Sequence, residues 1–289
     1  MKKTICLLSA IAMLCCTACS SDGSEKEPEE GEKTISFEVV NYQQVSLDDV
    51  TRATDATALA HLDMAIYDAA TNALVSQTQT AKGDNNYGQF SATLAYGQYT
   101  VVFLGYSGNY MADLSDPTKI GFANNYVPDM FYKTIQLTVS NNSPEAQSIV
   151  LSRGVGAFVL RHEGYIPNTL NTIKVTANGG GNRFNALTGF ATEVSERWTD
   201  FTLTDRVGTT SFGLPLYTFL PAETATMTFT AVAKDANNEV LQKRVFSNVP
   251  MKINQRTTYT GQFFGSGTNV QGFSLSLETD EWDEVNQTY

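Results

Sequence analysis

The sequence predicts an all-β chain: two tandem β-sandwiches that follow an export signal and an acidic tether. Three observations carry this. From Lys33 onward apolar residues recur at every second position, the pattern of strands with one buried face. Clusters of Gly, Asn and Asp separate these runs, as turns require. No run keeps a long helical period, and about 250 residues suffice for two sandwiches.

The chain opens with an address. Lys2 and Lys3 form a positive n-region, and Ile5 to Leu14 an apolar stretch of about 10 residues, too short to span a bilayer. It ends in "CTAC", which resembles the bacterial lipobox and makes Cys19 the lipidated first residue of the mature chain, with Cys16 the rival position. All four cysteines lie in this segment, which rules out a disulfide framework. Lipobox chemistry adds more than one acyl chain, and two chains anchor stably where one binds marginally. Residues 1–18 are therefore read as signal peptide and 19–32 as lipidated cysteine and tether. Between Ser20 and Glu32 six residues are acidic and only Lys26 is basic. Such a stretch repels itself into an extended spacer, reaching at most about 45 Å. An acidic run after the lipidated cysteine also looks like the surface-export signal of Bacteroidetes lipoproteins.

The strands follow. "TISFEVV" places Ile35, Phe37 and Val39 on one face, with Ser36 and Glu38 on the other. "HLDMAIYD" turns Leu62, Met64 and Ile66 inward, opposite His61, Asp63 and Tyr67. "FYKTIQLTV", "NTIKVTA", "TMTFTAVA" and "TTYTGQFF" repeat the alternation, and "KGDNNYG", "SNNSPE" and "KDANNE" supply turns. A join is expected near Arg153, between "SIVL" and "VGAFVL". It divides the chain into an N-terminal sandwich, 33–152, and a C-terminal one, 153–289. No short-period repeat is visible.

Chemistry is harder to find. A formal charge of −11 disfavours nucleic acid and anionic membrane surfaces as partners. The two histidines, His61 and His162, are expected to be solvent-facing or locally bonded. Zinc, redox, nucleotide and hydrolase motifs are missing. "NGGGN" at 178–182 precedes no helix that could receive a phosphate and reads as a flexible hairpin. "ETDEWDE" at 278–284 reads as a solvated tail. The expectation is no enzyme, no metal and no cofactor.

Several segments in order resemble one family, the fimbrillins and anchor subunits of the Bacteroidetes type V pilus. They are the lipobox at Cys19, "ISFEVVNYQQVSLDDVTRATD", "HLDMAIYD", "YGQFSATLAYGQYTVVFLGYSG", "DMFYKTIQLTV", "IVLSRGVGAFVLRHEGYIP", "FNALTGF", "RVFSNVPMKINQRTTYTGQFF" and "GFSLSLETDEW". The resemblance implies two transthyretin-like Greek-key domains, export to the outer membrane and cell surface, and assembly with other fimbrial subunits by β-strand complementation. It also implies an arginine-specific protease that removes the first strand. Here "TRA" would put the cut between Arg52 and Ala53, removing residues 33–52 with the strand Thr34–Val40. A sandwich missing one strand exposes an apolar slot and unpaired edges, which favour strand addition. The candidate donor lies in the terminal segment 265–289: "GFSLSLE", with Phe273, Leu275 and Leu277 on one face. Anchor subunits would keep both lipid and first strand.

Alternatives stay open at this level. Arg52 reads equally as a solvated loop residue, and "GFSLSLE" as the last strand of its own sandwich. Stalk, tip and anchor are not separated. A different class, a surface glycan-binding lipoprotein with exposed aromatics, also fits an exported β-sandwich, although only Trp198 and Trp282 are present.

Overall fold

The computed structural model of the chain describes residues 30–44, 52–55, 59–265 and 272–278. The earlier half contains β1 (Glu32–Gln44), β2 (Arg52–Asp55), β3 (His61–Asp68), β4 (Leu74–Ala81), β5 (Gln89–Ala95) and β6 (Gly97–Tyr106). β7 (Ala112–Asp113), β8 (Ile120–Phe122), β9 (Met130–Val139) and β10 (Ala146–Arg153) complete it. The later half contains β11 (Gly156–Glu163), β12 (Thr172–Asn178), β13 (Arg183–Asn185), β14 (Phe190–Ala191) and β15 (Arg197–Thr202). β16 (Ser211–Thr218), β17 (Thr224–Lys234), β18 (Val240–Lys252), β19 (Arg256–Gly261) and β20 (Ser274–Glu278) follow.

The two halves share one topology. In the earlier half β1 pairs antiparallel with β5 and parallel with β10, facing a layer ordered β4-β3-β6-β9. The layers join at a corner where Ser152 and Arg153 of β10 meet Tyr132 and Phe131 of β9. In the later half β11 pairs antiparallel with β16 and parallel with β19, facing β15-β12-β17-β18. These pairings correspond strand for strand; among the described residues the β2–β1 and β10–β9 pairings have no counterpart in the later half, nor has β20 on the outer edge of β19 in the earlier one. The relation is one of pairing, which no short sequence repeat reveals.

Each half closes on its own core. Ile35, Phe37, Leu62, Met64, Phe103 and Leu151 belong to one cluster. Phe158, Ile173, Val175, Phe229 and Phe246 belong to the other, with the Phe158 and Phe229 rings stacked 4.0 Å apart. A fully buried side chain of this kind contributes about 1.5–3 kcal/mol.

A third core joins the halves. Strands β7 and β8, inserted between β6 and β9, and β13 and β14, inserted between β12 and β15, form one small sheet in which β8 pairs with β13. Under it lie Tyr67, Leu104, Tyr106, Phe122, Phe184 and Phe219. This corrects the expected polar face of β3. Asp63, Ala65 and Tyr67 are as buried as Leu62, Met64 and Ile66, because the shared sheet covers the side that alternation had turned to water. Asp63 is compensated by the Tyr106 hydroxyl, which donates at 2.8 Å, and the Gln79 amide, which donates at 3.0 Å. Burial still pushes its carboxyl up from the usual range. The legible trace was the unbroken run "VVFLGY" in β6, the signature of a strand buried on both faces.

The expected hairpin at 178–182 is also corrected. Gly180 and Gly181 are buried, and Gly181 exchanges backbone hydrogen bonds with Phe219. A Cβ on Gly181 would collide with the Glu193 carbonyl. The glycines serve close backbone approach, not flexibility.

Candidate strand-exchange site

β1 forms because Ile35, Phe37 and Val39 alternate with polar residues. They are 0%, 2% and 6% exposed, and Phe37 lies 5.3 Å from Phe103. The strand runs past the expected Thr34–Val40. A bulge between Val39 and Asn41 shifts the register and reverses the phase of the pleat. Tyr42 thereby becomes a fourth core residue, its ring 4.4 Å from Phe131. The adjacent Val39 and Val40 break the alternation and were the trace of this. Both edges of β1 are occupied, by β10 on one side and by β5 and β2 on the other. Stripping Ile35, Phe37 and Val39 from the core costs roughly 5–9 kcal/mol.

Arg52 and Ala53 do not lie in an open loop. Their backbone belongs to β2, with Arg52 opposite Gln44 and Ala53 opposite Gln43. Their side chains, Cys19, the signal segment and the tether up to residue 29 fall outside the described residues.

β20 pairs antiparallel with β19, Leu275 opposite Tyr259 and Leu277 opposite Thr257. Phe273 packs on the later core, 5.2 Å from Phe246. Leu275 and Leu277 are 48% and 49% exposed. The structure thus gives one of the three apolar residues to the core and leaves two at the surface. Glu278, expected in a solvated tail, pairs with the Arg256 guanidinium, whose Nε donates to it at 2.9 Å. Trp282 and the other acidic residues of that run lie outside the described residues.

The root of this tail is held by a histidine. His162 is fully buried, not solvent-facing. Its Nδ1 accepts the Phe263 N–H at 2.9 Å, and Nε2 lies 3.1 and 3.2 Å from the Gly164 and Tyr165 carbonyls. These partners suit a neutral ring protonated on Nε2, and burial lowers its pKa. His61 is half-buried, stacked on Tyr106 at 5.0 Å with Nε2 3.1 Å from the Gly108 carbonyl. Among the described residues no group of three or more His, Cys, Asp or Glu could hold a metal ion. None of their helices is long and apolar enough to cross a membrane.

The model of a family described as fimbrillin-A associated anchor proteins Mfa1 and Mfa2 matches residues 29–288. The fold is similar to that of a candidate adhesin from Bacteroides ovatus, at 14% identity and TM-score 0.51, covering 82% of this chain and 88% of that one. The fimbrial anchor protein Mfa2 of Porphyromonas gingivalis aligns at 10% identity and TM-score 0.41, over 80% of this chain and 91% of that one. The tip fimbrial protein Mfa3 of the same organism aligns at 11% identity and TM-score 0.37, over 88% and 100%. No curated sequence matches the chain.

Proposed function

The chain belongs to the family of fimbrillin-A associated anchor proteins Mfa1 and Mfa2, and on that premise we propose that it ends a fibre at the membrane. It is a non-catalytic fimbrial subunit of the cell surface, structural in role. In the anchor reading, lipid on Cys19 holds it in the outer membrane and the acidic tether spaces it outward. Residues 33–152 and 153–289 act as the two sandwich domains. β1 stays in place and plugs its own groove, while β20 leaves β19 and completes the sandwich of the next subunit.

The observation that carries this is the exposure of Leu275 and Leu277 on a strand whose backbone is already paired. Phe273, Leu275 and Leu277 repeat at the spacing of Ile35, Phe37 and Val39, so the same stripe that is idle on β19 has the period a vacated β1 slot requires. The ladder between Arg52 and Gln44 supports retention of β1. A protease reads unpaired extended chain, so cutting there must wait for local opening.

The test is the N-terminus of the protein recovered from cells. Lipid-modified Cys19, with residues 33–52 present and Arg52 resistant to an arginine-specific protease under native conditions, is the expected result. Ala53 as the N-terminus would overturn the anchor role and make this a processed, polymerising subunit.

A further inference from the structure

In the later half β20 lies antiparallel on the edge of β19 that faces away from β11. The counterpart of β19 is β10, and its matching edge pairs with β9 only at Ser152 and Arg153. The Ser36 N–H donates to the Glu145 carbonyl at 2.8 Å, which fixes the phase of the parallel ladder with β1. Glu145 and Gln147 turn their backbone groups to β1, so Ala146 and Ser148 turn theirs away from it. Both are exposed, and no described strand pairs with them on that side.

The core-facing side of β9 is uncovered at the same place. Lys133 lies opposite Phe103 and Ile135 opposite Val101, in step with Phe131 and Leu137 of the earlier core. Yet Lys133 is exposed and Ile135 only half-buried. On β18, the counterpart of β9, Arg244 and Phe246 hold the same phase opposite Ala231 and Phe229. They are 4% and 0% exposed. The chain leading into β20 covers them: the Arg244 Nε donates to the Phe263 carbonyl at 3.0 Å, and the Phe273 ring lies 5.2 Å from that of Phe246. The later half fills from its own chain a gap that the earlier half leaves open among the described residues.

We infer that this gap between β9 and β10 accepts an extended segment of another fimbrial subunit, with an aromatic and further apolar residues at alternate positions, as in Phe273, Leu275 and Leu277. Its backbone pairs with the outward groups of Ala146 and Ser148. Its apolar face covers Ile135, and Lys133 meets its carbonyls as Arg244 meets that of Phe263. Unpaired edges beside apolar surface favour strand addition. The slot is distinct from the one β1 occupies and stays available while β1 is in place. Only the identity of its occupant rests on the fimbrial reading. An inward lysine can instead keep an edge unpaired, and the experiment separates the two roles.

The experiment is an NMR titration of the full chain with a synthetic peptide of residues 272–278, GFSLSLE, the strand type that covers the corresponding edge of β19. The control is a peptide of the same residues reordered so that the apolar ones are adjacent. Saturable binding about tenfold or more tighter than the control is expected, with shifts at Ser148, Lys133 and Ile135. No binding at millimolar peptide, or equal binding of the control, overturns the slot and makes Lys133 a guard of the edge. Shifts confined to β19 and β20 would mean exchange with the chain's own strand, and overturn it too. Ser148→Pro removes an outward N–H and no bond of the β1 ladder, so it should weaken binding about tenfold or more with Tm unchanged. Undiminished binding to that variant would sink the pairing with β10. The shift map on the unmutated chain decides the matter even where the variant does not fold. None of these outcomes bears on the N-terminus recovered from cells, which tests the anchor role separately.

Discussion

His162 can accept the Phe263 N–H only while its Nδ1 carries no proton. Burial lowers its pKa below the ordinary 6.5, offset in part by backbone hydrogen bonds at Tyr165, Gly164 and Gly261 and least by Glu163. The folded state therefore favours the neutral ring. Its contribution is complete above the unfolded-state pKa near 6.5 and is lost as pH falls from there through the depressed folded value. Asp63 acts in the opposite sense, since its raised pKa favours the protonated form as pH falls. The two are separated by comparing the urea midpoint of the protein with that of His162→Gln. The difference between them should shrink as pH falls from above the ordinary 6.5 through the depressed folded value. A constant difference would mean that the ring is not held neutral. From the sequence His162 was expected to be solvent-facing or locally bonded, which describes Nε2 but not Nδ1. Its partner lies 101 positions away, a contact that no local pattern encodes.

β1 and β20 look alike as sequence elements, three apolar residues alternating with polar ones, yet they occupy opposite situations. β1 is paired on both edges with its apolar face in the core. β20 is an edge strand that buries part of Phe273 and little else. Deleting residues 265–289 should therefore cost less than about 2 kcal/mol in urea unfolding, the sum of a half-buried aromatic and a partly exposed ion pair. A loss near the 5–9 kcal/mol reckoned above for β1 would sink β20 as a donor and make it an integral strand. The alternation that identifies a strand was fully legible. What it could not carry was the neighbour, because period two states which side chains share a face, not whether anything covers it. The bulge that brings Tyr42 inward was invisible for a related reason: it is a property of pairing with β10.

The whole molecule is two corresponding sandwiches locked by a third core that neither half can build alone. Arg153, at the expected join, is the polar counterpart of that lock. It donates to both oxygens of Asp129, at 2.8 and 3.0 Å, and through Nη1 to Asn254 Oδ1 at 2.9 Å, between β18 and β19. It also lies 4.5 Å from the Phe131 ring centre. Arg153→Ala leaves Asp129 without its bidentate partner and should destabilise the chain by about 3–5 kcal/mol, read as a drop in Tm. A change under about 1 kcal/mol would mean that the junction is held by the apolar core alone.

By itself the sequence determined the all-β class, the turn positions, the inward faces of most strands and the absence of familiar catalytic motifs, since all of these depend on residues near one another in the chain. Only the tertiary structure decided that β3 and β6 are buried on both sides, that Arg153 and Phe184 bind the halves together, and that Arg197 is buried against the Val127 carbonyl. Each depends on segments brought together from distant parts of the chain, and burial, unlike periodicity, is a property of what a residue meets.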